Sequence, residues 1–167
     1  MVRKKDLFVL IQPLLPRLHS LAVCLLPDDL QAQQLVVDTL MLCLLKEKKI
    51  WREREWDEEN AKIQLQLRKQ FMKSMVTHMV DLGMKRSLQL WTTLPDVELV
   101  RQYPQFYQLE TKARAVAWLR FGQNWSMDEI ERVLQLKRYE LVEKVHNARF
   151  LMLGQPPVLP RTREVHA

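Results

Sequence analysis

Two short helical patterns separated by three residues, between Trp125 and Phe150, constrain the fold more than any other part of the chain. Ser126 with Glu129 three residues later is typical of a capping box, in which hydroxyl and carboxylate each accept a hydrogen bond from a first-turn backbone N–H. Apolar residues then recur at helical spacing, and they are Ile130, Val133 and Leu134, then Leu141, Val145 and Ala148. Because these two faces can bury each other, the pattern predicts a helix-turn-helix.

A further helix is predicted just upstream, and it would complete a three-helix core. Its apolar face is formed by Ala113, Val116, Ala117 and Trp118. Residues 121–124 are predicted to form the loop between this helix and the capping box, because they contain glycine and asparagine. Residues 111–154 are therefore predicted to form a small helix-turn-helix domain.

Composition favours helices in the rest of the chain as well. The 167 residues are 47% hydrophobic, which is enough core for one domain or for two small ones. Three glycines and an aromatic fraction of 8% argue against a sheet built on tight turns. We therefore predict an all-α protein. Cys24 and Cys43 stand within apolar helical patterns and are predicted to be buried free thiols.

The first half of the chain, residues 1–91, is predicted to form a second helical domain. A short helix from about Asp6 precedes Pro13 and Pro16, and a leucine-rich helix follows. Asp28 with Gln31 resembles another capping box, and residues 30–45 are apolar on nearly every face, which predicts a central helix. A long helix running to about residue 91 is indicated by apolar residues near every fourth position, namely Ile63, Leu67, Phe71, Met75, Met79 and Leu82.

Three segments are predicted to lie outside these domains. Residues 92–110 contain Pro95 and Pro104 and are predicted to be a linker that packs in part. The charge run at residues 46–60 contains Trp51 and Trp56 and is interpreted either as a solvated surface or as a partner surface. Residues 155–167 are proline-rich and are predicted to be an extended, mobile tail.

The C-terminal pattern resembles the promoter-recognition region of bacterial sigma factors, most nearly the two-domain extracytoplasmic-function type. The matching positions there are residues 114–120, Ser126 to Ile130, Leu134, Leu141, His146, Ala148 and Arg149. The first half resembles the core-binding region of the same family at Pro16, Asp28, Asp29, Ala32, Leu35, Val36, Asp38 and Thr39. The resemblance implies a transcription initiation protein whose partners are core RNA polymerase, double-stranded promoter DNA and an inhibitory or regulatory protein.

The same resemblance implies which residues make these contacts. The polymerase-binding surface would comprise Gln34, Val37, Asp38 and Met41. The residues that contact the upstream promoter element would be Lys69, Lys73, Lys85 and Arg86. The DNA-binding residues of the recognition helix would be Lys137, Arg138, Tyr139, Val142, Glu143, Lys144, His146 and Arg149. Arg138 and Tyr139 stand at the helix start, where helix-turn-helix proteins contact base edges.

Departures from the family pattern keep other interpretations open. In the polymerase-binding helix, Gln34 and Val37 stand where the family has Asp and Gln. The helix-turn-helix contains three more departures. Glu131 stands where the family has a small alanine, Gln135 where it has the turn glycine, and Lys137 where it has a serine cap. One alternative is therefore a degenerate sigma-like adaptor that acts through protein contacts without autonomous promoter recognition. Another is a helical scaffold whose helix-turn-helix pattern reflects packing alone.

Other functional classes find little support in the sequence. The formal charge of +6 permits nucleic-acid binding but does not require it. Four histidines stand singly, so we expect no metal and no cofactor. The sequence contains no phosphate-binding loop or nucleophile elbow, and a non-enzymatic protein is expected, unless catalytic groups converge only in space.

A cytoplasmic location is expected from the N-terminal residues. Pro13, Pro16 and Arg17 interrupt the first apolar run, so it does not resemble a signal peptide. We also expect the longest apolar runs to be too short and too interrupted by charge to span a bilayer.

Overall fold

The computed structural model of the protein describes residues 4–46 and 61–153. All regular secondary structure within these two ranges is helical, which confirms the predicted all-α class. The predicted tail at residues 155–167 and the Trp51 and Trp56 part of the charge run lie outside the described residues.

Nine α-helices occupy the described residues. The first four are α1 (Lys4–Ile11), α2 (Leu15–Leu25), α3 (Asp29–Lys46) and α4 (Ala61–Leu90). The other five are α5 (Glu98–Gln102), α6 (Pro104–Gln108), α7 (Thr111–Ala117), α8 (Met127–Leu134) and α9 (Arg138–Leu153). A 3₁₀ turn, Gln12–Leu14, joins α1 to α2, and a π-helical turn, Trp118–Gly122, continues α7.

Helices α2, α3 and α4 pack against one another and form the largest part of the core. Pro16 stands in the first turn of α2, where its missing N–H costs no helical hydrogen bond. Gly83 lies where α4 meets the other two helices. A Cβ at position 83 would come within 3.0 Å of a Leu25 methyl and 3.3 Å of a Leu35 methyl. The long helix therefore contains glycine at the position of closest approach.

Helix α3 is buried along one face only, although its sequence is apolar on nearly every face. Its buried residues are Ala32, Leu35, Val36, Thr39 and Cys43. The buried Thr39 hydroxyl donates a hydrogen bond to the Leu35 carbonyl at 2.6 Å. The opposite face has 52–72% exposure at its apolar residues, which are Leu30, Val37, Met41 and Leu45. The described remainder of the chain packs only on the first of these faces.

The end of α2 is held by side chains from the second half of the chain. The last carbonyls of a helix have no donor within the helix. Here the Tyr107 hydroxyl donates to the Val23 carbonyl at 3.0 Å. Arg114 Nε donates to the Cys24 carbonyl at 2.6 Å, and Arg114 Nη2 donates to the Leu25 carbonyl at 3.1 Å.

Arg114 is only 3% exposed, and its positive charge is stabilised by the dipoles of the carbonyls that accept its hydrogen bonds. It also donates to the Leu109 carbonyl at 2.7 Å and lies 5.4 Å from the centroid of the Tyr107 ring. Burial lowers the pKa of Arg114, raises that of Tyr107, and raises that of the Cys24 thiol to about 12. The thiol and the phenol are therefore neutral at physiological pH, and the C-terminal dipole of α2 favours the cation.

A single hydrophobic cluster runs through both halves of the chain, from Ile11 to Val145. The Trp118 indole N–H also donates to the Ser20 hydroxyl at 3.0 Å. Within the predicted linker, α5 and α6 form, and Tyr107 and Leu109 are buried, in agreement with partial packing. The division into two separable domains stays a prediction.

Residues Phe8–Leu25 have the length and composition of a membrane span, with a mean hydropathy of 1.5. This differs from the expectation that every apolar run would be too short. In the structure 39% of the segment is buried inside the protein. The buried leucines are Leu10, Leu14, Leu18, Leu21 and Leu25. The core helix of a folded domain meets the same criteria of length and composition.

The Arg114 contacts predict a large loss of stability on its removal. Arg114→Met keeps most of the side-chain volume but leaves buried carbonyls without donors, so we expect a loss of about 2–4 kcal/mol in urea unfolding. Arg120→Met is the matched control, because Arg120 donates to the single carbonyl of Trp125 at 3.0 Å. Equal losses in the two variants would contradict the role assigned to Arg114.

Candidate functional site

The capping box of α8 is formed as the sequence predicts. Ser126 has extended backbone angles, and its hydroxyl accepts from the Glu129 N–H at 3.2 Å. The Ser126 N–H in turn donates to the Glu129 carboxylate at 3.0 Å. That backbone hydrogen bond lowers the pKa of Glu129 below its ordinary value. The start of the first helix is therefore set by local hydrogen bonds.

The segment before the capping box differs from the predicted loop at residues 121–124. The helix continues through Gly122 as a π-helical turn, and the Gln123 N–H donates to the Trp118 carbonyl at 2.9 Å. Asn124 then adopts a left-handed conformation, with φ of 55°. The π-helical turn and the left-handed Asn124 therefore occupy most of the segment that was predicted to be a loop.

The turn between α8 and α9 is built without glycine. Gln135 adopts φ of 52° and ψ of 41°, and its N–H donates to the Glu131 carbonyl. The Leu136 N–H donates to the same carbonyl at 3.1 Å, and the Leu136 side chain is buried. Leu136 was missed in the predicted core, although an apolar residue inside a polar turn was an available signal.

At the start of α9, Lys137 stands where the family has a serine cap, and Glu140 supplies a capping carboxylate. The Lys137 N–H donates to Glu140 Oε2 at 2.9 Å. Glu140 therefore satisfies a backbone donor of the first turn, and its negative charge lies at the positive end of the helix dipole. The spacing of three residues from position 137 to Glu140 was the sequence signal for this cap.

Helices α8 and α9, which we call the helix pair, pack through the predicted apolar faces. The predicted DNA-contact residues lie outside that packed interface. The buried set comprises Ile130, Val133, Leu134, Leu141, Val145 and Ala148. Six of the eight proposed DNA-binding residues are exposed, and these are Lys137, Arg138, Tyr139, Val142, Glu143 and Arg149. Lys144 and His146 are half-buried. Seven of the eight therefore lie on α9, and Lys137 directly precedes its first residue.

Two cations of α9 form ion pairs within the protein. Arg138 forms ion pairs with Asp128 and with Glu131, the latter at 3.0 Å. Lys144 pairs with Glu110, and burial lowers the pKa of Lys144. Residues 126–149 contain five acidic and five basic side chains, whereas the whole chain carries a formal charge of +6. The helix pair therefore has no net positive charge of its own.

The four residues proposed for upstream-element contact do not form a single basic face. Lys73 lies 3.9 Å from the Glu129 carboxylate, and Lys85 lies 2.9 Å from Asp81. Arg86 pairs with Asp38 of α3. Lys69 is exposed one turn before Lys73. Positions 73 and 85 are twelve residues apart, which corresponds to about 18 Å of helix. Lys69 and Lys73 are therefore separated from Lys85 and Arg86.

The proposed polymerase-binding residues lie on the exposed side of α3. Gln34 donates to Asp38 at 2.8 Å, and the hydrogen bond from Arg86 lowers the pKa of Asp38. Two residues assigned to different contacts, Asp38 and Arg86, are thus partners of each other. Four exposed apolar residues form what we call the α3 stripe, namely Leu30, Val37, Met41 and Leu45. At 3.6 residues per turn they fall within roughly 80° of one another.

The Gln135 turn predicts a stabilising substitution. A left-handed conformation crowds the Cβ of a non-glycine residue against the backbone, so Gln135→Gly should stabilise the protein by about 1 kcal/mol in chemical unfolding. Gln123→Gly is the matched control, because Gln123 has φ of −110° and gains no such relief. A loss of stability in Gln135→Gly equal to that in the control would contradict the strain argument.

The described residues offer two surfaces of different character, the electrically neutral helix pair and the apolar α3 stripe. Within residues 4–46 and 61–153, no group of three His, Cys, Asp or Glu side chains could hold a metal ion. Comparisons with protein-family models, with curated proteins and with solved structures find no match for this chain.

Proposed function

We propose that this protein is a sigma-like transcription adaptor, which binds core RNA polymerase in the cytoplasm through α3 and does not recognise promoter DNA on its own. It acts by binding and not by catalysis. The single observation that carries the proposal is the α3 stripe. The sequence resemblance independently assigns Val37 and Met41, two of its members, to the polymerase-binding surface.

The α3 stripe has the character of a protein-binding face. Its four side chains are 52–72% exposed, while the opposite face of α3 is buried in the core. An apolar line along one helix is suited to a partner that presents a helix or a hydrophobic groove. In complexes of this kind, the apolar residues that enter the partner's surface recur at the same helical spacing. Gln34 lies within this line and Asp38 lies at its edge, so the surface also presents two polar groups. Burial of this surface would supply most of the affinity.

The charges of the helix pair argue against autonomous DNA binding. Affinity for DNA comes largely from cations that neutralise phosphates and release counterions. Here Arg138 is paired with Asp128 and Glu131, and Glu143 is exposed on the same helix. Release of Arg138 for a base or a phosphate would require the breaking of two ion pairs. We therefore propose that DNA binding by the isolated protein is weak.

A second candidate function, contact with promoter DNA inside the polymerase complex, is favoured by the start of α9. Lys137 and Tyr139 are exposed there, and the Arg138 side chain is 51% exposed despite its pairing. Polymerase would hold the DNA close to this helix, so weak contacts would contribute without high intrinsic affinity.

The proposal predicts that the α3 stripe determines polymerase binding. The double variant Val37→Asp with Met41→Asp places two charges in the apolar line. We expect its affinity for core polymerase to fall by about tenfold or more, because each buried anchor contributes at least about 1 kcal/mol. The measurement is a pull-down with titrated core polymerase at moderate salt.

The matched control is Leu65→Asp with Leu88→Asp, two exposed apolar residues of α4 that lie outside the stripe. This control variant should bind like the wild type. Equal binding by the stripe variant would remove the α3 surface from the proposal. Failure of the wild-type protein to bind polymerase would exclude both sigma-like interpretations and leave the helical scaffold.

The adaptor is distinguished from a promoter reader by the effect of Arg138. We expect Arg138→Ala to change promoter-complex formation with core polymerase by less than about 1 kcal/mol, and we expect Lys144→Ala to leave its salt dependence unchanged. Arg132→Ala on α8 is the control for a change in charge alone. A loss of about 1–3 kcal/mol confined to Arg138→Ala would establish base reading and favour the second candidate function.

A further inference from the structure

A groove of about 640 Å³ lies between α2, the short helices α5 and α6, and the last turn of α9. None of the predicted polymerase or DNA contacts falls in it. Its rim includes Tyr103, which is 57% exposed, and Met152, which is 46% exposed. Phe106 lies beside them and makes an edge-to-face contact with Tyr107. The groove therefore presents aromatic and thioether surface to whatever occupies it.

The lining of this groove is uncharged apart from a histidine. The described residues that line it are Pro16, His19, Ser20, Val23, Cys24, Leu99, Gln102, Tyr103, Gln105, Phe106, Tyr107 and Met152. They contain no Asp, Glu, Lys or Arg, although such residues make up 28% of the chain. An occupant of matching chemistry would be apolar and uncharged, with backbone carbonyls to accept hydrogen bonds from the lining amides and hydroxyls.

The chain itself continues from the edge of this groove with a segment of that chemistry. Met152 lines the groove, and α9 ends one residue later at Leu153. The next seven residues are Gly-Gln-Pro-Pro-Val-Leu-Pro, and charge first returns at Arg161. In a polyproline II conformation, seven residues span about 22 Å, which is long enough to cross a groove of this size.

We propose that residues 155–160 of the same chain dock in this groove as a polyproline II segment. Prolines pack well on aromatic rings, and the open carbonyls of a polyproline II helix accept hydrogen bonds from side-chain donors. Tyr103 and Phe106 supply the rings, and Gln102 and Gln105 supply amide donors. Because the segment is tethered to α9, its effective concentration at the groove is in the range of about 1 mM or more.

The test uses the full chain with Val158 replaced by the photo-crosslinking residue benzoylphenylalanine. Irradiation should produce crosslinks from position 158 to residues 99–107 within one molecule, with a yield that does not change on dilution. Tyr103→Ala in the same chain should lower the yield of that crosslink by about tenfold, as expected for loss of an aromatic anchor. Tyr139→Ala removes a tyrosine of α9 that is 64% exposed, and it should leave the yield unchanged.

Three outcomes would overturn the inference. One is the absence of groove residues among the crosslinked peptides. Another is crosslinking between two molecules that rises with protein concentration, which would make a second copy the occupant. The third is equal yields in Tyr103→Ala and Tyr139→Ala when circular dichroism shows both variants folded.

Discussion

The hydrogen bonds of Arg114 to the end of α2 are the constraint on which the rest of the structure depends. A buried guanidinium is costly unless its donors are satisfied, and here they meet the carbonyls of Cys24, Leu25 and Leu109. These contacts join α7 to α2 across about ninety residues of sequence, and the Tyr107 hydroxyl adds a parallel bond to Val23. The C-terminal carbonyls of α2, which have no donor within the helix, thus fix where the second half of the chain packs.

The features that sequence predicted well are those controlled by neighbouring residues. The capping box at Ser126, the end of α8 at Leu134 and the extent of α4 all follow from residues a few positions apart. Interactions over long sequence separation were not predictable in this way. Arg114 has its main partners some ninety positions away, and Asp38 meets Arg86 only because α3 packs on α4.

The two candidate surfaces differ in the forces that would act on a partner. The α3 stripe would bind mainly by removal of apolar area from water, which depends little on salt. The helix pair would bind by charge, but its five acidic and five basic residues cancel, and Arg138 and Lys144 are engaged with carboxylates. The electrostatic attraction on which DNA binding depends is therefore weak at the helix pair, where the family resemblance would place the DNA contacts.

Helix α4 fixes the separation of these surfaces. Arg86 near its C-terminal end pairs with Asp38 of α3, while Thr77 donates to the Val133 carbonyl at the end of α8 at 2.9 Å. Positions 77 and 86 are nine residues apart in sequence, which corresponds to about 14 Å of continuous helix. Since the same helix also contributes Phe71, Met75 and Met79 to the shared core, it cannot reorient without disruption of that core. A partner on α3 would thus hold the helix pair at a set distance and orientation, and recruitment would require no domain rearrangement.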